Sequence, residues 1–158
     1  TFDNEIVCDI GCGSGILLDS IYKKFPNIKP IYADKKDFRI VKNKRFKKID
    51  FFKPLNIKAD VFIISRILHD WDDINAIKIL KNISQCMNKN SLLLVFESFV
   101  DIKTLNNLDI CFHLINFLGG KERSLKELKN LFAKSGLKIE NIIEGSLINI
   151  IKVRRNKC

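Results

Sequence analysis

Asp9-Ile10-Gly11-Cys12-Gly13-Ser14-Gly15 is the stretch on which the reading of the fold depends. It follows a short apolar run, Glu5 to Ile10, and precedes Ile16, Leu17, Ile21 and Phe25, which recur at helical spacing until Pro26 and Asn27 close the segment. Strand, glycine turn and helix in that order open an α/β sheet, in which ligands bind beyond the carboxyl ends of the strands. A dinucleotide fingerprint needs G-x-G-x-x-G/A, and Ile16 holds the third small position. A nicotinamide-binding domain is therefore the least favoured reading.

The form that does stand here, D-x-G-x-G-x-G, resembles the first motif of class I methyltransferases that use S-adenosylmethionine (SAM). A pyrophosphate wants bare amides and a helix dipole, whereas SAM brings an ammonium and a sulfonium, which an acid at Asp9 would favour. Further along, Lys29 to Asp34 reads as a second strand ending in an acid placed to accept both ribose hydroxyls. Phe38 to Val41 reads as a short helix and Arg45 to Asp50 as an edge strand; Asp50 can accept an adenine amino group while Phe51 lies on the ring. Three acids at successive strand ends converge on one ligand. The cofactor set is thus Asp9, Gly11, Gly13, Gly15, Asp34, Asp50 and Phe51.

Asp60 to Ser65 is apolar on consecutive positions, as a strand covered on both faces requires. Asp72 is a natural N-cap for a helix marked by Ile74, Ile77, Leu80, Ile83 and Met87, and Ser91 to Phe99 is the next strand. Leu105 to Leu118 reads as an amphipathic helix, and Ser124 to Ser135 as another with a capping box and a Gly136 stop. Leu137 to Ile143 and Leu147 to Val153 form an antiparallel hairpin around Glu144-Gly145-Ser146. The expected architecture is a Rossmann-like open sheet, mostly parallel, with a C-terminal antiparallel hairpin.

The 158 residues suit one domain, taken as 1–153 with 154–158 as a short basic tail. No apolar run is long enough to span a bilayer. The chain begins at Thr1 and reaches a strand within five residues, with no signal or transit segment among them. Five Cys without a C-x-x-C pair argue against a disulfide framework or a zinc ribbon and for a reducing compartment, the cytoplasm. The net charge of +10 admits a nucleic-acid partner, but 22 Lys, 25 Ile and 15 Asn carry the bias of an AT-rich coding sequence, so nucleic acid is the weaker partner.

Leu68-His69-Asp70-Trp71-Asp72-Asp73 follows the fourth strand, beside the expected cofactor pocket. Methyl transfer to a hydroxyl needs in-line attack by an oxygen that is losing its proton, and an imidazole with an ordinary pKa of about 6.5 can take it. DIGCGSG, KIDFFKPL, LHDWDD, LLLVFES and GGKERSLKELKNLFAKSGL, in this order, resemble the C-terminal domain of small-molecule O-methyltransferases of the caffeic acid and hydroxyindole (acetylserotonin) type. The resemblance implies that His69 is the general base, that Glu97 and Glu122 flank and orient it, and that SAM is the cofactor and S-adenosylhomocysteine the product, with no metal. It implies a hydroxylated, aromatic small-molecule acceptor. Gly11, Gly13, Asp34, Asp50 and Phe51 match its cofactor contacts; Ser65 stands where some plant members carry Lys near the cofactor, so that this contact is either absent or replaced by Arg66.

Asp70, Asp72 and Asp73 read as cap and turn residues, and Trp71 as packing against the following helix. The family's N-terminal helical domain, which makes its dimer, is absent from these residues, so a homodimer is expected only where that domain is present. Within 105–118, Phe112 and Phe117 read as core and His113 as a candidate second polar contact for the acceptor. A nucleic-acid methyltransferase and a catalytically incomplete SAM-binding fragment remain as alternatives; against the first, the sequence lacks an N/D-P-P-Y/F tetrad and a Pro-Cys nucleophile.

Overall fold

In the computed structural model, which describes residues 3–39, 45–99 and 120–156, the glycine turn lies between β1 (Ile6–Ile10) and α1 (Ile16–Lys24). Then come β2 (Lys29–Asp34), β3 (Phe46–Lys48), β4 (Val61–Ser65), a 3₁₀ turn (Leu68–Asp70), α2 (Asp73–Cys86) and β5 (Leu92–Glu97). After the segment outside the description come α3 (Leu125–Lys134), β6 (Leu137–Ile143) and β7 (Asn149–Arg155). The strands make one sheet in the order β3-β2-β1-β4-β5-β7-β6. β1 to β5 pair in parallel, while β7 runs antiparallel to β5 and β6 antiparallel to β7. The order reverses between β1 and β4, so their carboxyl ends part at a topological switch point.

Val61 to Ile64 are all buried, and their alternation divides the core. Phe62 and Ile64 pack with Ile79, Leu80 and Ile83 of α2 and with Leu131 and Phe132 of α3. Val61 and Ile63 pack on the other face with Leu18 of α1. The caps form as the sequence indicates. Asp72 accepts from Asn75 N at 2.7 Å, and Ser124 and Glu127 make a reciprocal capping box at α3. The Lys121 ammonium and the Ser124 bonds hold the Glu127 carboxyl down at about 2. Gly136, with φ +72°, ends α3 in the left-handed region.

Three expectations change. Phe38 and Arg39 are not helical, so the short helix over 38–41 does not begin there, and residues 40 and 41 lie outside the described residues. Asp37 accepts from the Arg39 amide at 3.2 Å and from its Nε at 2.8 Å, a local arrangement that competes with helix formation. Arg39 then lies over the rings of Tyr32 (4.7 Å) and Phe46 (5.2 Å). The edge strand shrinks to Phe46–Lys48, and β7 runs from Asn149 to Arg155 with a bulge opposite it between Ile139 and Asn141. The helix over 105–118, with Phe112, His113 and Phe117, lies outside the described residues.

Candidate active site

Where β1, β2 and β3 end, a cavity of about 510 Å³ opens, its walls including Gly11, Asp34, Asp50, Phe51, Ile67 and Trp71. Gly11 allows these walls to close on the turn: its φ is +78°, and a Cβ there would meet Phe51 Cζ at 3.1 Å and collide with Ile67. The Gly13 amide donates to Asp34 Oδ2 at 2.9 Å and the Lys35 amide to Oδ1 at 2.7 Å, which fixes the carboxylate at the strand end. A carboxylate offers about four lone-pair sites, so two stay available for hydroxyls. Asp50 accepts from Phe52 N at 2.9 Å in an Asx turn, beside which Phe51 faces the cavity. Gly15, φ +82°, begins α1 against Tyr32 and Arg39.

Asp9 is 2% exposed, and its Oδ1 has no hydrogen-bond partner among the described residues. Burial, and then the charge of Asp34, push its carboxyl up to about 7. Two buried carboxylates at one glycine turn, one of them short of donors, make a site that favours positive charge. Acids for a ribose and an amino group, an aromatic face and this negative field together fit a cationic nucleoside such as SAM.

Across Ile67 the 3₁₀ turn carries His69. Its Nδ1 lies 3.3 Å from Glu122 Oε1 and its Nε2 3.1 Å from Asp70 Oδ1. Glu122 Oε2 accepts from Ser98 Oγ at 2.9 Å, and a parallel bridge between Phe99 and Arg123 ties their two segments together. Glu97 takes a different part from Glu122: its Oε1 accepts from the Leu68 amide at 2.9 Å, so it grips the turn rather than the ring. Burial opposes the imidazolium, yet the hydrogen bonds to Asp70 and Glu122 and the charge of Glu97 outweigh it, and the net effect raises His69 to about 9. Glu122 is lowered, because bonds from His69, Ser98 and Arg66 outweigh its burial; burial raises Glu97.

Asp9, Asp34, Asp50, Phe51 and the three glycines are thus gathered at the β1 to β3 ends, and His69, Glu97 and Glu122 at the β4 and β5 ends. Ser65 and Arg66 are not among the cavity walls. The Arg66 guanidinium turns instead to Ser98 Oγ (2.7 Å) and Glu122 Oε1 (2.8 Å). Ligand atoms of His69, Glu97 and Glu122 lie within 4.8 Å of one another, and the positive charge set among them is this guanidinium. Trp71 packs edge-on to Phe52, centroids 4.9 Å apart, so it builds the cavity wall as well as abutting the core.

Two residues that sequence reasoning passed over hold the His69 turn. Arg123, 2% exposed, donates from Nη1 to Leu68 O and from Nη2 to Trp71 O, both at 2.7 Å, and from Nε to Asp73 Oδ1 at 3.0 Å. Gly120 lies against the same turn, where a Cβ would fall on the His69 carbonyl oxygen and 2.9 Å from Asp70 Cα. Gly120→Ala is expected to cost about 1–3 kcal/mol by overpacking backbone against backbone and to lower turnover at least about tenfold by displacing the ring. A thermal melt and a methyl-transfer assay check this; an unchanged melt and rate would contradict it. The only sequence signal was G-G-K-E-R itself, which names an Arg but not the carbonyls it takes.

A sheet of this order with a glycine turn and acids at its switch point defines the class I SAM-dependent methyltransferase fold. The model of the O-methyltransferase domain family matches residues 3–138. Phenazine O-methyltransferase of Lysobacter antibioticus is 32% identical over 95% of this chain and 48% of its own length. The crystal structure of human N-acetylserotonin methyltransferase with SAM superposes with a TM-score of 0.85 at 25% identity, covering 96% of this chain and 48% of that one. An O-methyltransferase from neocarzinostatin biosynthesis, solved with SAM and 2-hydroxy-5-methyl naphthoic acid, gives 0.82 at 27% identity, covering 94% and 48%. The chain belongs to the O-methyltransferase domain family, and it spans about half the length of the curated relatives it matches.

Proposed function

We propose that this chain is the catalytic, SAM-binding part of an O-methyltransferase that acts on a hydroxyl of a small aromatic acceptor. The observation that carries the reading is His69, its Nδ1 on Glu122 and its turn at the rim of a cavity that holds Asp34, Asp50 and Phe51. A phenazine O-methyltransferase and an O-methyltransferase solved with SAM and a naphthoic acid, both similar to this chain, support the reading. Bound there, SAM would supply an activated methyl on a sulfonium. Asp34 would accept from the ribose hydroxyls and Asp50 from the adenine amino group, with Phe51 on the ring. Gly11, Gly13 and Gly15 shape the turn, and Asp9 supplies negative field beneath it.

His69 would take the acceptor proton at Nε2, the nitrogen that Asp70 Oδ1 occupies at 3.1 Å and would give up to the hydroxyl. Glu122 keeps the Nδ1 proton in place and stabilises the imidazolium that forms, and Glu97 fixes the turn through the Leu68 amide. Among the described residues no helix is long and apolar enough to cross a membrane, and Cys8, Cys12 and Cys86 are free thiols. We place the protein in the cytoplasm on that thiol chemistry, with a homodimer where the family's N-terminal domain accompanies it. Methyl-labelled SAM offered with a panel of phenols, naphthols and RNA tests the reading. Label on a phenolic oxygen is the expected result; label on RNA alone, or on nothing in a folded sample that contains the whole protein, would overturn it.

A further inference from the structure

We propose that Arg66 is a positioning residue for the base: its guanidinium competes with His69 for one oxygen of Glu122 and so weakens the hold of the surrounding carboxylates on the imidazole proton. The inference rests on the reading of His69 as the general base. Arg66 has φ +55°, a left-handed conformation that residues with a Cβ rarely adopt. Its amide is anchored to Phe96 O at 3.0 Å. From that bend the side chain reaches Ser98 and Glu122, and its Nη1 lies 3.9 Å from Glu97 Oε2. Glu122 Oε1 is thereby shared, 2.8 Å from Arg66 Nη1 and 3.3 Å from His69 Nδ1.

The charges around the ring show what this sharing does. Asp70 on its own turn, Glu97 at the end of β5 and Glu122 before α3 all favour the imidazolium. Lys121 and Arg123, which also line this corner, direct their charge to Asp73, and Lys121 to Glu127 as well. Arg66, from the end of β4, is the cation that engages the carboxylates His69 uses. Three carboxylates facing an imidazole tighten its hold on a proton, which the ring must shed before it can take one from an acceptor. A guanidinium on the shared oxygen draws off part of that negative field and opposes the positive charge on the ring.

The test is a proton NMR titration of the imidazoles. The chain has two His, His69 and His113, and His69→Gln assigns them. Arg66→Gln is expected to move the His69 titration alkaline by about one pH unit. Arg66→Lys, which keeps the cation and hence the balance that the fold relies on, is expected to move it in the same direction by a smaller step because the fork on Ser98 and Glu122 is lost. A His69 titration that stays in place or turns acid in Arg66→Gln would overturn the proposal. If that variant does not fold, a Lys variant that titrates with the wild type would do so. The titration needs no turnover, so its failure is separable from failure of the base reading, which would show as undiminished methyl transfer in His69→Gln.

Discussion

His69→Gln is expected to lower the rate of methyl transfer by about 10² to 10⁴ while leaving cofactor binding within a few-fold of the wild type. The range follows from what a positioned base contributes, and the expected separation of rate from binding follows from geometry. His69 is held by Glu122 and Asp70 and is not a wall of the 510 Å³ cavity, so its removal leaves the Asp34, Asp50 and Phe51 side in place. Only the neutral imidazole accepts a proton. With the free ring raised to about 9, the wild-type rate should climb with pH as the imidazolium is lost, and this limb should vanish in the variant. Steady-state rates from pH 6 to 10 beside a calorimetric titration of cofactor would check both halves. Equal turnover in the two forms would remove His69 from the chemistry.

Arg123→Leu is expected to cost about 3 kcal/mol of stability although the residue touches none of the reacting groups. Its guanidinium satisfies the Leu68 and Trp71 carbonyls, the two ends of the His69 turn, and pairs with Asp73 at the start of α2. Leucine fills part of the volume but leaves the Trp71 carbonyl without this donor and the Leu68 carbonyl with the Trp71 amide alone, at 3.3 Å, at about 1–3 kcal/mol for an acceptor left buried and unpaired. Asp73 is half-exposed and would be solvated, so its pair adds little to the loss. Urea denaturation should show the midpoint falling with the slope unchanged. A loss below about 0.5 kcal/mol would mean that the turn is held by its other contacts, with Glu97 and Gly120.

The sequence carried the sheet, and with it the placement of the glycine turn, Asp34 and Asp50 at strand ends, because these rest on local rules. A strand, a glycine turn that needs positive φ and an amphipathic helix are written within twenty residues, and Asp34 and Asp50 follow strand ends that their own apolar runs mark. The antiparallel hairpin was legible for the same reason. What failed locally was the helical reading at Phe38 and Arg39, where the Asp37 side chain bonds the Arg39 backbone and guanidinium and overrides the apolar spacing. The base side is a different matter. That Glu97 grips the Leu68 amide and Glu122 the ring, that Arg66 turns to Ser98 and Glu122, and that Arg123 and Gly120 clamp the turn are all contacts across 29 to 56 positions of sequence. No period or propensity encodes them; they exist because β4, β5 and the approach to α3 end side by side.

Calorimetric titration of the folded chain with S-adenosylhomocysteine, run beside Asp34→Ala, decides whether the glycine turn and its acids form a SAM site. Saturable binding to the wild type is expected, with an affinity at least about tenfold weaker in the variant, because in the proposed site the buried Asp34 carboxylate would accept from the ribose hydroxyls. Equal affinity in the two, or no binding by the folded wild type, would contradict it.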